Sequence, residues 1–285
     1  MDSQSATVSL LEMKEVVEAG LERLLEGGSR LHEALRYAVL SGGKRFRPLL
    51  LLSAGEAFGG DRTTLLPYAC AVELIHSYSL VHDDLPCMDD DALRRGKPSC
   101  HKAFGEAGAL LAGDGLLTLA FEVLAGAPAG AAGAGRKDRA VQAIAEASGI
   151  RGMIGGQWMD IAYEPGRADE ASLLELMALK TGALILASVR AGAIMGGAPD
   201  SSLPAVEGYG RAVGLAFQLR DDFLDAGKIL EGKGGTRPNA AALFGPDGTK
   251  VRLRRAVEGA IEALDAAGVR SAGLRALAAG LGEIG

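Results

Sequence analysis

The chain is short of aromatic residues: one tryptophan, five tyrosines and seven phenylalanines make up 5% of 285 positions. With 48% of residues apolar, there is enough material for a sizeable core, but that core has to be mostly aliphatic. Cysteine is scarcer still. Cys70, Cys87 and Cys100 cannot all pair within one chain and none belongs to a CxxC, so a reducing, cytoplasmic setting is expected. No long basic run exists to follow a nucleic-acid backbone, which sets that partner aside. No uncharged apolar run reaches the roughly 18 residues of a membrane span. The first residues, MDSQSATVSLLEMKEVVEAG, carry acids where a secretion leader would be basic.

Alternating strand patterns bounded by turn signals are also missing. What is present is apolar spacing of the i, i+3, i+4, i+7 kind. In residues 68–85 it falls at positions 71, 74, 75, 78, 81 and 85. Segments 8–25, 28–40, 107–124, 138–155, 171–195, 204–225 and 250–280 read the same way and are rich in Ala, Leu, Glu and Arg. Glycine, at 41 residues, is high for a helical protein, and many glycines gather in loops such as AGAPAGAAGAG at 125–135. There is no internal repeat, and no linker separates two compositions. The expectation is one all-α domain over residues 1–285.

Thirty basic against 36 acidic residues leave a net charge of −6. Eight of the acids form two tight clusters, Asp83, Asp84, Asp89, Asp90 and Asp91, then Asp221, Asp222 and Asp225. Asp221 and Asp225 stand about 40° apart on a helix, where like charges repel and call for a counter-ion. Gln218 shares that face. Asp83 and Asp89 miss a common face on an unbroken helix, but Pro86 lies between them and forces an end or bulge that can bring them together. Carboxylates without nearby histidine or thiolate suit a hard cation such as Mg²⁺, which shares its positions with water and substrate phosphates.

The adjoining Arg94 and Arg95 could then grip phosphate oxygens. Acid would hold the metal, and base the phosphate that the metal carries. A second basic island, SGGKRFRP at 41–48, offers Lys44, Arg45 and Arg47 in a turn. His76 stands two helical turns before Asp83 on the same face. Lys180-Thr181-Gly182 interrupts an apolar helix, and Gly156-Gln157-Trp158-Met159-Asp160 adds a polar patch. Taken singly each is also compatible with a solvated turn or an ordinary helix. Together they describe a polar-rimmed, helix-walled cavity with two anion sites. With four histidines, none arranged for a metal pair, the His82-Asp83 step does not make a phosphohydrolase site.

These residues resemble the trans-isoprenyl diphosphate synthases, most closely the bacterial short-chain farnesyl diphosphate synthases. The resemblance runs from about residue 30 to 225 through GGKRFRP (42–48), LIHSYSLVHDDLPCMDDDALRRGKPSCH (74–101), GGQWMD (155–160), KTG (180–182) and YGRAVGLAFQLRDDFLD (209–225). It implies an all-α isoprenoid synthase fold of about ten core helices around a central cavity, usually a homodimer. The implied reaction is Mg²⁺-assisted prenyl transfer, in which an allylic diphosphate (dimethylallyl or geranyl) ionises and alkylates the double bond of isopentenyl diphosphate. By resemblance, Asp83, Asp89 and Asp221 bind three Mg²⁺ with Asp225 in support. Arg94, Lys180, Thr181 and Gln218 contact the allylic diphosphate, and Lys44, Arg47, His76 and Arg95 form the isopentenyl diphosphate site. The family's proton is thought to leave on the departing diphosphate, so no side-chain base is implied.

The growing chain should run from Asp83 back along its helix, where Tyr78 lies about 7–8 Å down the axis. In the family an aromatic here accompanies C15 products, whereas small residues admit C20. Farnesyl diphosphate is therefore the expected product, with Tyr78 as the stop. Cys87 in DDLPCMD is similar to geranylgeranyl synthases and keeps C20 open. After Asp225 the sequence departs from the family's usual GKxxGxD loop and KxTY segment, and Lys228 and Lys233 remain alternatives for the loop lysine. The final RALAAGLGEIG is not basic, as the family's tail commonly is. These departures leave a catalytically silent partner subunit as an alternative.

Overall fold

The computed structural model describes residues 3–163, 169–230 and 239–283. They form thirteen α-helices, α1 (Ser3–Leu24), α2 (Arg30–Leu40), α3 (Phe46–Ala57), α4 (Arg62–Asp83), α5 (Cys100–Phe104), α6 (Glu106–Gly126), α7 (Ala134–Ser148), α8 (Met153–Ile161), α9 (Glu170–Met177), α10 (Ala183–Gly196), α11 (Leu203–Leu230), α12 (Ala240–Ala266) and α13 (Ala272–Gly282). A minimal antiparallel hairpin, β1 (Leu93–Arg94) and β2 (Lys97–Pro98), follows α4. The all-α expectation holds.

The helices start where short polar side chains can take up free backbone N–H groups. Ser29, Asp61, Asn239 and Ser271 cap α2, α4, α12 and α13 in this way. Asp169 and Ser172 close a reciprocal capping box on α9. A single cluster of buried side chains, mainly aliphatic, extends from Met13 to Leu281. Its hub is α10, which packs on α3, α4, α7 and α11. The approach to α3 is close enough that a Cβ at Gly192 would lie 2.1 Å from the Leu51 carbonyl oxygen. Part of the high glycine content is thus spent inside helices, at crossings, and not in loops.

Three expected segments differ. The run 138–155 is two helices, because α7 ends at Ser148 and α8 begins only at Met153. The run 250–280 is likewise divided between α12 and α13, with Gly268 at φ 64° just after the first and Ser271 capping the second. Residues 46–48, expected to belong to a charged turn, open helix α3 (Phe46–Ala57). Two helical stretches, α6 and Glu170–Gly196, are long and apolar enough to cross a membrane by length and composition alone, although 33% and 56% of their apolar 18-residue windows are buried within the chain. All three cysteines are free thiols, Cys70 and Cys100 buried and Cys87 exposed. Burial, chiefly, pushes Cys70 up to about 12 and Cys100 up to about 11.

Candidate active site

Helix α4 stops at Asp83, ahead of Pro86, whose ring disfavours helical backbone in the residue before it. The chain then curls back: the Asp89 N–H donates to the Asp83 carbonyl at 2.9 Å, and Asp90 and Met88 donate to Leu85 at 3.1 and 2.8 Å. Asp83 and Asp89 are thereby held together, both half-buried. Asp84, only 2% exposed, takes a different part. Its two oxygens receive the Arg94 Nε at 3.0 and 3.2 Å, and Arg94 Nη2 also reaches Asp84 and, at 3.3 Å, Asp91. The hydrogen bond to Asp84 is the main reason the Arg94 pKa is raised despite burial.

Arg94 is therefore fixed within its own motif, one edge of its guanidinium already committed to protein carboxylates. Arg95 and Gly96 turn the hairpin with φ of 54° and 75°, the two positive values that tight β-hairpins use. That turn sends Arg95 back across the fold to donate to the Gly42 carbonyl, so the two basic islands meet. Within the island at 41–48 the three cations separate. Lys44 is exposed, whereas Arg45 and Arg47 are buried. Arg45 is not free to bind phosphate: it donates to Glu18 at 2.8 Å, Glu73 at 2.7 Å and the Val39 carbonyl at 2.7 Å. This network holds Arg45 in left-handed backbone at φ 51°, a costly conformation for a side-chain-bearing residue.

Arg47, His76, Tyr78, Asp83, Lys180 and Thr181 line one cavity of about 450 Å³, together with Met88, Leu117, Met153 and Trp158. Burial lowers Arg47 to about 10, with Glu73 and Asp221 opposing the shift, so the guanidinium stays charged at neutral pH. Its Nε is buried without a hydrogen-bond partner. His76 is held well below 6.5, first by burial and then by Arg47, Arg95, Arg45 and Arg94. It is a neutral imidazole beside cations, able to donate one N–H to an anion. Tyr78 is 5% exposed, and burial, with Asp83, pushes its phenol up to about 12.

Lys180 and Thr181 reach this cavity from a π-helical turn, Ala178–Gly182, between α9 and α10. Such turns insert one residue into a helix and often mark functional positions. Helix α8 packs so tightly on the turn that a Cβ at Gly156 would lie 2.2 Å from the Lys180 nitrogen. Lys180 Nζ donates to buried Asp160 at 2.5 Å. Thr181 donates to the Gln218 side-chain oxygen at 2.7 Å, and Gln218 donates to Asp222 at 2.8 Å. Asp222 spends its other oxygen on the Ala240 N–H at 2.7 Å, at the first turn of α12.

Asp221 is half-buried and Asp225 exposed on α11. Burial, first, then Asp222 and Asp225 raise the Asp221 pKa against the pull of Lys44 and Arg220. A carboxylate so placed is costly to ionise without a cation. Among the described residues no three His, Cys, Asp or Glu side chains form a metal cage by themselves. The donor set still fits Mg²⁺, which needs one or two carboxylates and completes its shell with water and substrate phosphates. Lys233 and the side chain of Lys228 lie outside the described residues.

Residues 29–234 match the family described as Polyprenyl synthetase. The chain belongs to that family. Among curated relatives of this polyprenyl synthetase, the large subunit 1 of a heterodimeric geranylgeranyl pyrophosphate synthase from Arabidopsis thaliana is 48% identical over 211 residues, 73% of this chain and 57% of the relative. The chain thus spans less than two thirds of that relative's length. A farnesyl diphosphate synthase from Geobacillus stearothermophilus is 46% identical over 219 residues, 76% of this chain and 74% of the relative. Among solved structures, an FPP/GFPP synthase from Zymomonas mobilis in its apo form gives a TM-score of 0.87 at 36% identity, covering 97% of this chain and 98% of that one. A geranyltransferase from Legionella pneumophila gives 0.88 at 37% identity, covering 98% and 97%.

Four residues that hold the synthetase's site together went unassigned in the sequence. Asp84 fixes Arg94, Asp160 pairs with Lys180, Asp222 anchors Gln218, and Arg45 braces the turn that carries Lys44. Asp84 and Asp222 had a readable signal, since neighbours on a helix point about 100° apart and a doubled aspartate cannot present both carboxylates to one ligand. For the pairing of Asp160 with Lys180, twenty positions away, the sequence offers no periodicity to read.

Proposed function

We propose that this polyprenyl synthetase is a short-chain trans-prenyltransferase that joins isopentenyl diphosphate to dimethylallyl or geranyl diphosphate and releases farnesyl diphosphate. The observation that supports it is one cavity running from the charged Asp83, Arg47 and Lys180 and the neutral His76 to the ring of Tyr78. Asp83, Asp89 and Asp221, with Asp225 behind them, would hold Mg²⁺, three ions in all, which when bound neutralises charge on the departing diphosphate. Arg94, Lys180, Thr181 and Gln218 are assigned to the allylic diphosphate. Lys44, Arg47, His76 and Arg95 are assigned to isopentenyl diphosphate.

The arrangement suits ionisation of an allylic carbon. Preorganised cations meet negative charge as it grows, and apolar walls such as Met88, Leu117 and Met153 keep water from the carbocation. The neutral His76 and the buried Arg47 would bind the second diphosphate so that its double bond faces that carbon. Tyr78 would end growth at C15. A C20 product is the second reading, favoured by the geranylgeranyl pyrophosphate synthases of Arabidopsis among the relatives.

Incubation of the purified chain with Mg²⁺, isopentenyl diphosphate and either starter tests both readings by product length. C15 supports the first and C20 the second, while no elongated product leaves the role of a silent partner subunit. A homodimer in a cytoplasmic setting is part of the same proposal. The homodimer is supported by exposed Leu110 and Leu111 on α6, which lie outside the cavity lining. Sedimentation equilibrium should give twice the 29.3 kDa chain mass; a monomer would refute it.

A further inference from the structure

Tyr78 and His82 lie four residues apart on α4 and so rise from one face. Their rings meet edge to face, with centroids 5.8 Å apart and planes at 76°, an arrangement aromatic pairs favour. The Tyr78 hydroxyl is buried without a hydrogen-bond partner. Packing, not a polar bond, therefore fixes the direction of that ring. His82 is fixed from another helix. Its Nε2 lies 3.1 Å from the Leu110 carbonyl oxygen on α6, and because a carbonyl only accepts, Nε2 carries a proton.

Helix α6 can come this close because residue 113 is glycine. A Cβ there would fall 2.0 Å from His82 Nε2 and 2.3 Å from Cδ2. Glycine inside a helix costs about 0.5–1 kcal/mol relative to alanine, and here the notch it leaves is filled by the imidazole. Tyr78, His82 and Leu117, the last one turn beyond Gly113, all line the cavity.

We infer that His82, seated in the Gly113 notch and tied to the Leu110 carbonyl, is a positioning residue that sets how far the Tyr78 ring reaches into the cavity. It thereby sets the length at which chain growth stops. The inference rests on the proposed prenyl transfer with Tyr78 as the stop.

Product length at matched low conversion tests it, with isopentenyl diphosphate, dimethylallyl diphosphate as the C5 starter, and Mg²⁺. Tyr78→Ala should raise the C20:C15 ratio. His82→Ala releases the ring and should raise the ratio about tenfold, whereas His82→Phe keeps the edge-to-face contact and should restore it to within about twofold. Gly113→Ala acts from α6. A Cβ there would lie 2.0 Å from His82 Nε2, so the imidazole has to move; if it is driven against the Tyr78 ring, the product should shorten and the C10 share rise. No elongation by the parent chain overturns the proposed reaction, and no lengthening in Tyr78→Ala overturns the stop; either takes the inference with it. Lengthening in Tyr78→Ala with unchanged ratios in both His82→Ala and Gly113→Ala overturns the inference alone. If His82→Ala makes no product at all, the direction of the shift in Gly113→Ala decides.

Discussion

The two acidic motifs solve one problem in different surroundings. Each contains a doubled aspartate, and in each the first member is half-buried beside the basic groups of the site while the second is buried in structural bonds. In the first motif, Asp84 spends both oxygens on a cation, the Arg94 guanidinium. In the second, Asp222 spends them on a neutral amide and a backbone N–H. The helix geometry explains the division of labour, since adjacent side chains diverge by about 100°. The difference in partner explains the electrostatics: charge pairing locks the first motif, while Asp222, like Asp221, is left with a raised pKa, chiefly from burial.

This contrast is open to direct attack. The largest effect is expected from Asp83→Asn and Asp221→Asn, which should each lower turnover by about 10²–10³-fold through lost stabilisation of developing charge. Their unfolding midpoints should stay near the parent's. A loss of stability as large as that of the Asp84 variant would erase the distinction between the members of each pair. Next comes Asp84→Ala, which strands the Arg94 fork. About 2–3 kcal/mol of stability should go by urea unfolding, below the cost of breaking a fully buried pair because the Arg94 side chain is 36% exposed.

Asp222→Ala should cost less, about 1–2 kcal/mol for the orphaned Ala240 N–H and Gln218 amide, with faster hydrogen exchange at the start of α12. The smallest effect concerns His76. Folding holds its pKa well below 6.5, so the unfolded chain takes up a proton that the folded chain refuses. Stability is complete above about 6.5 and is lost as pH falls from there towards the folded value. Stability of His76→Gln should fall less than the parent's over that interval; equal slopes would show that the burial of His76 does not matter.

Much of this is legible in the sequence. Helical spacing placed α1, α2, α4, α6, α10 and α11, and Pro86 marked the break that lets Asp89 return to Asp83. Helix α3 was hidden because its run from Pro48 to Ala54 is buried throughout, and a stretch buried on every side carries no period. Arg45 looked like its neighbours Lys44 and Arg47 because sequence shows charge but not the buried Glu73 that claims it. The contact of His82 with Gly113 joins two helices through a missing side chain, and a glycine in a sequence does not announce what fills the space.

The exposed indole of Trp158 has a practical consequence. It is the chain's sole tryptophan, 73% accessible, and it forms part of the cavity wall. Excited at its red edge, the protein emits from that one spot, so an intrinsic fluorescence titration would report on the mouth of the cavity without a label and without background from any other indole.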